Sequence, residues 1–260
     1  MQNTRILVAS SDGYTDLWKP FLFYLRKYWP DCPFQVVLGA NNPNNIDRPD
    51  GAVVVPTVPD IKWGEHVRRL LAEMDSELVL LMMPDYFLDS PVDTKYVLSC
   101  IDYMSANNAG SIRLVPVPQL RRQSSNGSRL GLAEVGLTEP FSTSLAATLW
   151  SSHELAKVLD DGDSPWTFEG FGPQRRREGV QYYTTTKPVL SYPVTGSLVK
   201  GMWTRPARKL LSKDGMQDSL THRPTQSRSR ALKMYLKSAA FGTVSFLFPR
   251  WSIAFFRRFT

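Results

Sequence analysis

Apolar runs alternate with amphipathic stretches along the first 115 residues of the chain. Five short apolar runs predict buried β-strands, at residues 6–10, 35–40, 52–55, 77–83 and 111–115. Between them, three stretches carry apolar residues at helical spacing, at residues 17–28, 63–74 and 94–107. This β-α-β alternation predicts an α/β fold, in which a mostly parallel sheet has helices on both faces.

The pattern is weaker in the second half of the chain. Further strands are predicted at residues 143–150, 181–185 and 188–192, and a helix at residues 152–159. A compact aromatic and acidic segment occupies residues 165–171. Two polar stretches, 119–130 and 204–230, predict a surface loop and a basic connector.

The net charge of +7 is unevenly distributed. Residues 200–260 hold 13 Lys and Arg but only two acids, Asp214 and Asp218, so the rest of the chain is net acidic. Nucleic-acid binding normally needs basic groups on the folded body. We therefore exclude a nucleic-acid partner and divide the chain into a folded body, 1–204, and a basic connector and tail, 205–260.

The tail combines basic and aromatic side chains in a way typical of the interface of an anionic membrane. The residues expected to contact that surface are Lys233, Lys237, Arg250, Trp251, Phe255, Arg257 and Arg258. The alternative is that these aromatics close the core of the body as a C-terminal helix. We predict no transmembrane span, because no run of about 18 apolar residues occurs, and no signal peptide. Two cysteines, Cys32 and Cys100, fit a reducing cytoplasm.

Acidic residues follow two of the predicted strands. Ligands bind beyond the carboxyl ends of strands in open parallel sheets, and Asp12 and Asp85 stand at two such ends. The chain has no GxGxxG, Walker A or GxSxG motif. A bound nucleotide would therefore need basic side chains or an acid-bound metal to offset its charge. Alternatively, Asp85 pairs with a nearby base and Asp89 caps a turn.

Glu169 is a lone acid among three aromatic residues. A partly apolar pocket raises a carboxyl pKa toward the range of a general base. The alternative is an acid at a helix start beside a structural aromatic cluster. The three histidines, His66, His153 and His222, are scattered and are expected to be surface or supporting groups.

Segments spread in order over residues 4–204 resemble bacterial GT-A glycosyltransferases of the gene clusters for surface polysaccharides such as capsule, lipopolysaccharide and exopolysaccharide. The matching segments are VASSDGYTDLW (8–18), KYWPDCP (27–33), SELVLLM (76–82), DYFL (85–88), PVD (91–93), SL (144–145), LW (149–150), PW (165–166), FE (168–169), KG (200–201) and Trp203. Each segment is common by itself, and their joint order carries the resemblance.

This resemblance implies a GT-A-like, Rossmann-like body that binds a nucleotide-sugar donor at the end of the first strand. There, Ser10, Ser11 and Asp12 would contact the nucleotide, with Arg68 or Arg69 approaching the base or diphosphate. A donor or metal site would include Asp85. On the acceptor side, Glu169 would be the catalytic carboxylate and Trp166 the platform for the acceptor.

Two departures from the family pattern concern the metal and the acceptor. The first Asp of the Asp-x-Asp signature would fall at Met83, and no second Asp follows Asp85 at the required spacing. Dependence on Mg²⁺ or Mn²⁺ is therefore left open. Ala146 stands where a polar residue is expected, which would alter contacts with the acceptor.

The resemblance to GT-A glycosyltransferases thus implies an enzyme that transfers a sugar from a nucleotide sugar to a hydroxyl of a lipid-linked saccharide. Direct displacement would invert the anomeric centre if Glu169 deprotonates that hydroxyl. The expected location is the cytoplasmic face of the inner membrane, as a peripheral protein. Two alternatives are a sugar nucleotidyltransferase and a non-catalytic membrane-associated scaffold.

Overall fold

A computed structural model describes residues 3–42, 48–116, 130–137, 139, 141–193, 196–229 and 231. Eight strands form the central sheet: β1 (Thr4–Val8), β2 (Gln35–Ala40), β3 (Ala52–Pro56), β4 (Leu78–Met82), β5 (Ser111–Arg113), β6 (Leu132–Val135), β7 (Thr148–Ser151) and β8 (Tyr182–Thr185). Their order across the sheet is β3-β2-β1-β4-β7-β5-β8-β6. Only β7 and β6 run antiparallel to their neighbours, so the sheet is mostly parallel.

Helices cover both faces of this sheet. They are α1 (Trp18–Tyr28), α2 (Trp63–Met74), α3 (Thr94–Asn107), α4 (Ser152–Val158), α5 (Pro165–Phe171) and α6 (Arg205–Lys213). Side chains alternate along β1, so Ile6 and Val8 face the core beneath α1, α3 and α6, whereas Leu7 faces the core beneath α2, α4 and α5. The predicted α/β class is confirmed.

The local predictions are most accurate in the β-α-β half. Helices α2 and α3 and strand β2 have the predicted bounds. The predicted strand at 188–192 is wrong, because Pro188 and Pro193 at its ends lack an N–H for a strand ladder. Strand β6 was not predicted, and the loop expected at 119–130 falls almost wholly in the undescribed part of the chain.

The stretch at 204–230 is not the polar connector that its composition predicts. It contains α6 and a 3-10 helix at Gln217–His222, and Ala207 and Leu211 of α6 are fully buried in the same core cluster as Trp203. The backbone of Gln226 donates to the carbonyl of Trp203 at 3.0 Å. Residues 205–226 therefore pack onto the body, so residue 204 marks no break.

The predicted membrane contacts from Lys233 to Arg258 belong to the part of the chain that the structure does not describe. In the residues that it does describe, no helix combines the length and apolar character needed to cross a membrane.

Shortening the buried leucine of α6 tests whether this helix belongs to the core. Leu211→Ala is expected to lower the free energy of unfolding by about 2–5 kcal/mol, since it removes buried methyl groups and leaves a cavity. Ser212, the exposed neighbour of Leu211, gives the control. Ser212→Ala is expected to change the free energy of unfolding by less than about 0.5 kcal/mol. Urea denaturation measures both. Equal values for the two variants would contradict the burial of α6.

Candidate active site

The loop after β1 is held by the carboxylate of Asp12. Its Oδ1 accepts hydrogen bonds from the backbone N–H groups of Asn41 at 2.7 Å and Asn42 at 3.2 Å, just after β2. Asp12 is partly exposed and begins a 3-10 helix, Asp12–Leu17. It therefore ties together the two loops that border the carboxyl edge of the sheet.

Behind this loop, His66 joins the ends of two strands. Its Nε2 lies 2.7 Å from the carbonyl oxygen of Ser10, and its Nδ1 lies 2.7 Å from the hydroxyl of Thr57. A carbonyl can only accept, so Nε2 carries the proton. Burial lowers the pKa of His66, so the neutral ring accepts at Nδ1 from Thr57. His66 is thus a supporting group, one of the two roles expected of it.

Of the three predicted nucleotide contacts, Ser10 has a structural role. It is only 3% exposed, and its hydroxyl accepts a hydrogen bond from Nε1 of Trp18 at 2.8 Å. Ser11 and Asp12 are partly exposed. These two residues therefore supply the accessible side chains at the end of β1.

Asp85 follows β4 and is held by a hairpin formed by β9 (Leu198–Val199) and β10 (Met202–Trp203). Its Oδ2 accepts from the backbone N–H of Leu198 at 3.2 Å, and its carbonyl accepts from Ser197 at 2.9 Å. Gly196 has φ +72° and packs so closely that a Cβ there would lie 2.2 Å from Oδ2. Burial raises the pKa of Asp85 to about 6, an effect that the Leu198 N–H partly opposes.

Arg223, a cation without a local signal in the sequence, holds the loop after β1 and acts electrostatically on Asp85. Arg223 forms a two-pronged ion pair with Asp16, with N–O distances of 2.6 and 2.7 Å, and donates to the carbonyl of Gly13 at 2.5 Å. Its guanidinium lies 5.1 Å from the ring centre of Tyr14. The positive charge of Arg223 also lowers the pKa of Asp85, so the two side chains lie in one electrostatic environment.

Glu169 lies on α5 and is held through one oxygen only. Its Oε1 accepts from the backbone N–H of Leu145 at 2.7 Å and from the hydroxyl of Ser144 at 3.3 Å. Among the described residues, Oε2 has no hydrogen-bond partner. Burial raises the pKa of Glu169, and the positive charge of the buried Arg113 partly offsets this.

An exposed tryptophan accompanies this carboxylate. Trp166 is 62% exposed and lies three residues before Glu169, so both project from the same side of α5. The neighbouring Phe168 is fully buried in the core and anchors the helix. The arrangement offers a half-buried base beside an open aromatic surface.

A stacked pair of tyrosines is influenced by the charges of both Asp85 and Glu169. The rings of Tyr86 and Tyr192 are 4.3 Å apart and 10° from parallel, and Ala147 N–H donates to the Tyr192 hydroxyl at 2.9 Å. Burial raises the pKa of each tyrosine, and the negative charges of Asp85 and Glu169 add to this effect. Both predicted carboxylates therefore act on the same tyrosine pair.

The arginines of α2 bind other parts of the protein. Arg68 donates to the carbonyl of Leu159 at 2.6 Å and pairs with Asp161 at 2.8 Å. Arg69 pairs with Glu65 at 2.7 Å on the same helix. Within the described residues, neither arginine contacts Asp12 or Asp85, so their predicted donor role has no contact that supports it.

Among the described residues, the carboxylates of the site are not grouped as a metal centre built by the protein alone. In the part of the chain that the structure describes, no three His, Cys, Asp or Glu residues are grouped so that they could hold a metal ion. Met83 occupies the place of the first Asp of the signature, and Asp89 is exposed. A cation at Asp85 would therefore need further ligands from the substrate phosphates.

Comparison with known proteins gives matches only among solved structures. No protein-family model matches the chain, and no curated protein matches its sequence. S. aureus TarS 1–349 is 11% identical with a TM-score of 0.46, over 72% of this chain and 60% of that one. This chain therefore spans about 60% of the length of TarS 1–349.

The other matches include two kinds of enzyme. The CMP:2-keto-3-deoxy-manno-octonic acid synthetase complexed with CTP is 10% identical with a TM-score of 0.47, over 84% of this chain and 100% of that one. The galactosyltransferase LgtC, in complex with donor and acceptor sugar analogues, is 10% identical with a TM-score of 0.37, over 59% of each chain. Similarity at this level does not distinguish between their activities.

Proposed function

We propose that the chain is a glycosyltransferase that moves a sugar from a nucleotide-sugar donor to a hydroxyl of a lipid-linked saccharide. One observation carries the proposal: Glu169 is half-buried with a raised pKa, its Oε2 has no hydrogen-bond partner among the described residues, and it stands beside the exposed Trp166. A carboxylate with these properties suits a general base that faces a sugar acceptor. Its proximity to the tyrosine pair near Asp85 supports a donor site next to it.

The proposed reaction is a direct displacement. Oε2 of Glu169 accepts the proton of the acceptor hydroxyl while the hydroxyl oxygen forms a bond to the anomeric carbon of the donor. The bond from that carbon to the diphosphate oxygen breaks, and the nucleoside diphosphate leaves with the electron pair. Attack from the face opposite the leaving group inverts the anomeric centre. Trp166 supplies an apolar surface on which the acceptor sugar ring packs.

On the donor side, we assign distinct roles to three groups. Ser11 and Asp12 contact the nucleotide at the end of β1. Asp85 accepts hydrogen bonds from hydroxyls of the donor sugar. Arg223, whose Nε and Nη2 hold Asp16 and Gly13, offsets the charge of the diphosphate as a nearby guanidinium.

Replacing Arg223 tests whether this cation binds the donor. Arg223→Gln is expected to weaken donor affinity by about 10- to 100-fold, because hydrogen bonds to charged groups are worth about 1.5–3 kcal/mol. The control Arg228→Gln, at an exposed residue, removes the same charge and is expected to leave affinity unchanged. Titration calorimetry with the nucleotide sugar measures both. If Arg223→Gln loses stability but keeps its donor affinity, Arg223 serves only as the partner of Asp16.

A product assay separates this function from the alternatives. The purified chain is incubated with a panel of nucleotide sugars and a lipid-linked saccharide, and in parallel with nucleoside triphosphates and sugar phosphates. The proposal expects elongated saccharide and free nucleoside diphosphate in the first set. Release of pyrophosphate in the second set alone would identify a nucleotidyltransferase, and no product in either would favour a scaffold.

We further propose that the enzyme acts at the cytoplasmic face of the bacterial inner membrane, in the synthesis of a surface polysaccharide. The tail residues from Lys233 to Arg258 would hold it there as a peripheral protein. Support comes from their sequence alone, in which aromatic and basic side chains alternate.

A further inference from the structure

One face of α6 carries a cluster of positive charge. Arg205, Arg208, Lys209 and Ser212 recur at helical spacing and are all exposed, whereas Leu211 on the other side is buried. These side chains line a surface pocket of about 420 Å³. Its lining residues are Arg205, Arg208, Lys209, Ser212, Thr225 and Gln226.

This arrangement of charge is unfavourable for the helix itself. Arg205 and Lys209 stand four residues apart, where like charges repel. Arg205 is the first residue of α6 and therefore lies at the N-terminal end of the helix, where the helix dipole favours anions. No acidic residue occurs within α6 to offset the charge.

Among the described residues, few hydrogen bonds or ion pairs offset this positive charge. Within the described residues, Arg205 and Lys209 have no hydrogen bond or ion pair, whereas Arg208 donates to the hydroxyl of Thr225 at 3.3 Å. Three cations therefore line this cavity, and no acidic residue of the described part of the chain lines it with them. An anionic group in that cavity would remove the repulsion between the cations.

We propose that this pocket binds the phosphate group of an anionic membrane phospholipid. The course of the chain favours a membrane lipid over a free phosphate. Thr225 and Gln226 form one wall of the pocket. The backbone N–H of Gln226 donates a hydrogen bond to the carbonyl oxygen of Trp203. The aromatic and basic tail therefore follows within a few residues of the pocket wall along the chain, and both would meet the same surface.

Binding at this pocket would orient the active site. The inference rests on the proposed membrane location of the enzyme. A tail alone leaves the body free to rotate, whereas a second contact on the body fixes one face toward the lipid. Arg223 lies two residues before Thr225, so the membrane-facing pocket and the donor site share one short segment that is paired with Asp16.

The test compares two double variants of the full chain that lose equal charge. Arg205→Gln with Lys209→Gln removes cations of the pocket, and Lys95→Gln with Lys157→Gln removes exposed cations of α3 and α4. Co-sedimentation with phosphatidylglycerol vesicles and with phosphatidylcholine vesicles measures binding. The pocket variant is expected to bind phosphatidylglycerol vesicles about 25-fold more weakly, at about fivefold per basic residue. The control variant is expected to change by less than twofold.

Three further outcomes would overturn the proposal. Equal losses in the two double variants would show a general charge effect. Unchanged vesicle binding by the pocket variant would exclude a lipid contact. A thermal shift by inorganic phosphate that only the pocket variant loses, with vesicle binding intact, would identify a site for soluble phosphate. Transfer to a soluble acceptor is expected to survive in the pocket variant, so a failure of the glycosyltransferase proposal would be visible separately.

Discussion

Glu169→Gln is expected to lower turnover by about 10²–10⁴-fold while donor affinity is preserved. The amide keeps the shape of the side chain and can still accept from the Leu145 N–H through its carbonyl oxygen. It cannot take a proton from the acceptor hydroxyl, so the loss falls on the chemical step. Single-turnover kinetics and donor titration separate the two quantities.

The pH dependence gives a second measure of this role. A general base acts in its deprotonated form, and burial raises the pKa of Glu169 above its ordinary value. Turnover is therefore expected to fall as the pH decreases through this raised pKa. Glu169→Gln is expected to lose this contribution to the acid limb and to keep only the contribution of Asp85, whose pKa is about 6. Glu178→Gln, at an exposed carboxylate, is the control and keeps the wild-type profile. If donor affinity falls as far as turnover, Glu169 is a donor or structural residue.

Asp85→Asn is expected to reduce transfer by at least about tenfold, or about 1.4 kcal/mol in the barrier. A carboxylate accepts hydrogen bonds from sugar hydroxyls with both oxygens, and the amide replaces one acceptor with a donor. Asp89→Asn is the matched control, because Asp89 is exposed and its backbone N–H bonds to Ser191. Near-normal transfer by Asp85→Asn would reject the donor role. Full activity in EDTA would reject only a metal at Asp85.

The same substitution is expected to stabilise the fold at neutral pH. The pKa of Asp85 is raised from its ordinary value of 3.8 to about 6. Within that window the folded state holds a proton that the unfolded state has released, so stability falls as the pH rises. Asp85→Asn is thus expected to gain on the order of 1 kcal/mol above pH 6. Denaturation at several pH values measures this gain, which is expected to disappear at pH values below 3.8.

A variant that is less active and more stable would mark Asp85 as a residue retained for function. Removing a strained functional group commonly raises stability at the expense of activity. If Asp85→Asn instead loses both activity and stability, the carboxylate serves mainly to hold the β9–β10 hairpin through Leu198.

The sequence predicts the parallel half of the fold well because each of its elements has a local signal. Buried parallel strands are short apolar runs, and α2 and α3 show helical spacing with clear ends. The helix α6 was missed because only Ala207 and Leu211 of its nine residues are fully buried, and its many basic residues imitate a connector. Tertiary packing decides whether such a segment forms a helix on the core, and the local sequence pattern does not show this packing.

The site was partly predictable for the same reason. Asp85 follows the most apolar strand, and Glu169 lies in an aromatic segment, so each has a signal within a few residues. Arg223 and Tyr192 have none, since their partners are distant along the chain: Tyr192 accepts from Ala147, and Arg223 pairs with Asp16. Only the folded backbone brings these groups together.

The ion pair between Asp16 and Arg223 joins residues that are 207 positions apart. During synthesis on a ribosome, the strand and loop that carry Asp16 emerge before Arg223 and can begin to fold, since chains fold from the N-terminus as they appear. The guanidinium that completes this edge of the sheet emerges only after the eight strands of the sheet and both carboxylates. A nascent chain that ends before Arg223 therefore has the sheet and both carboxylates without this cation, and the proposed donor pocket becomes complete only when Arg223 has paired with Asp16.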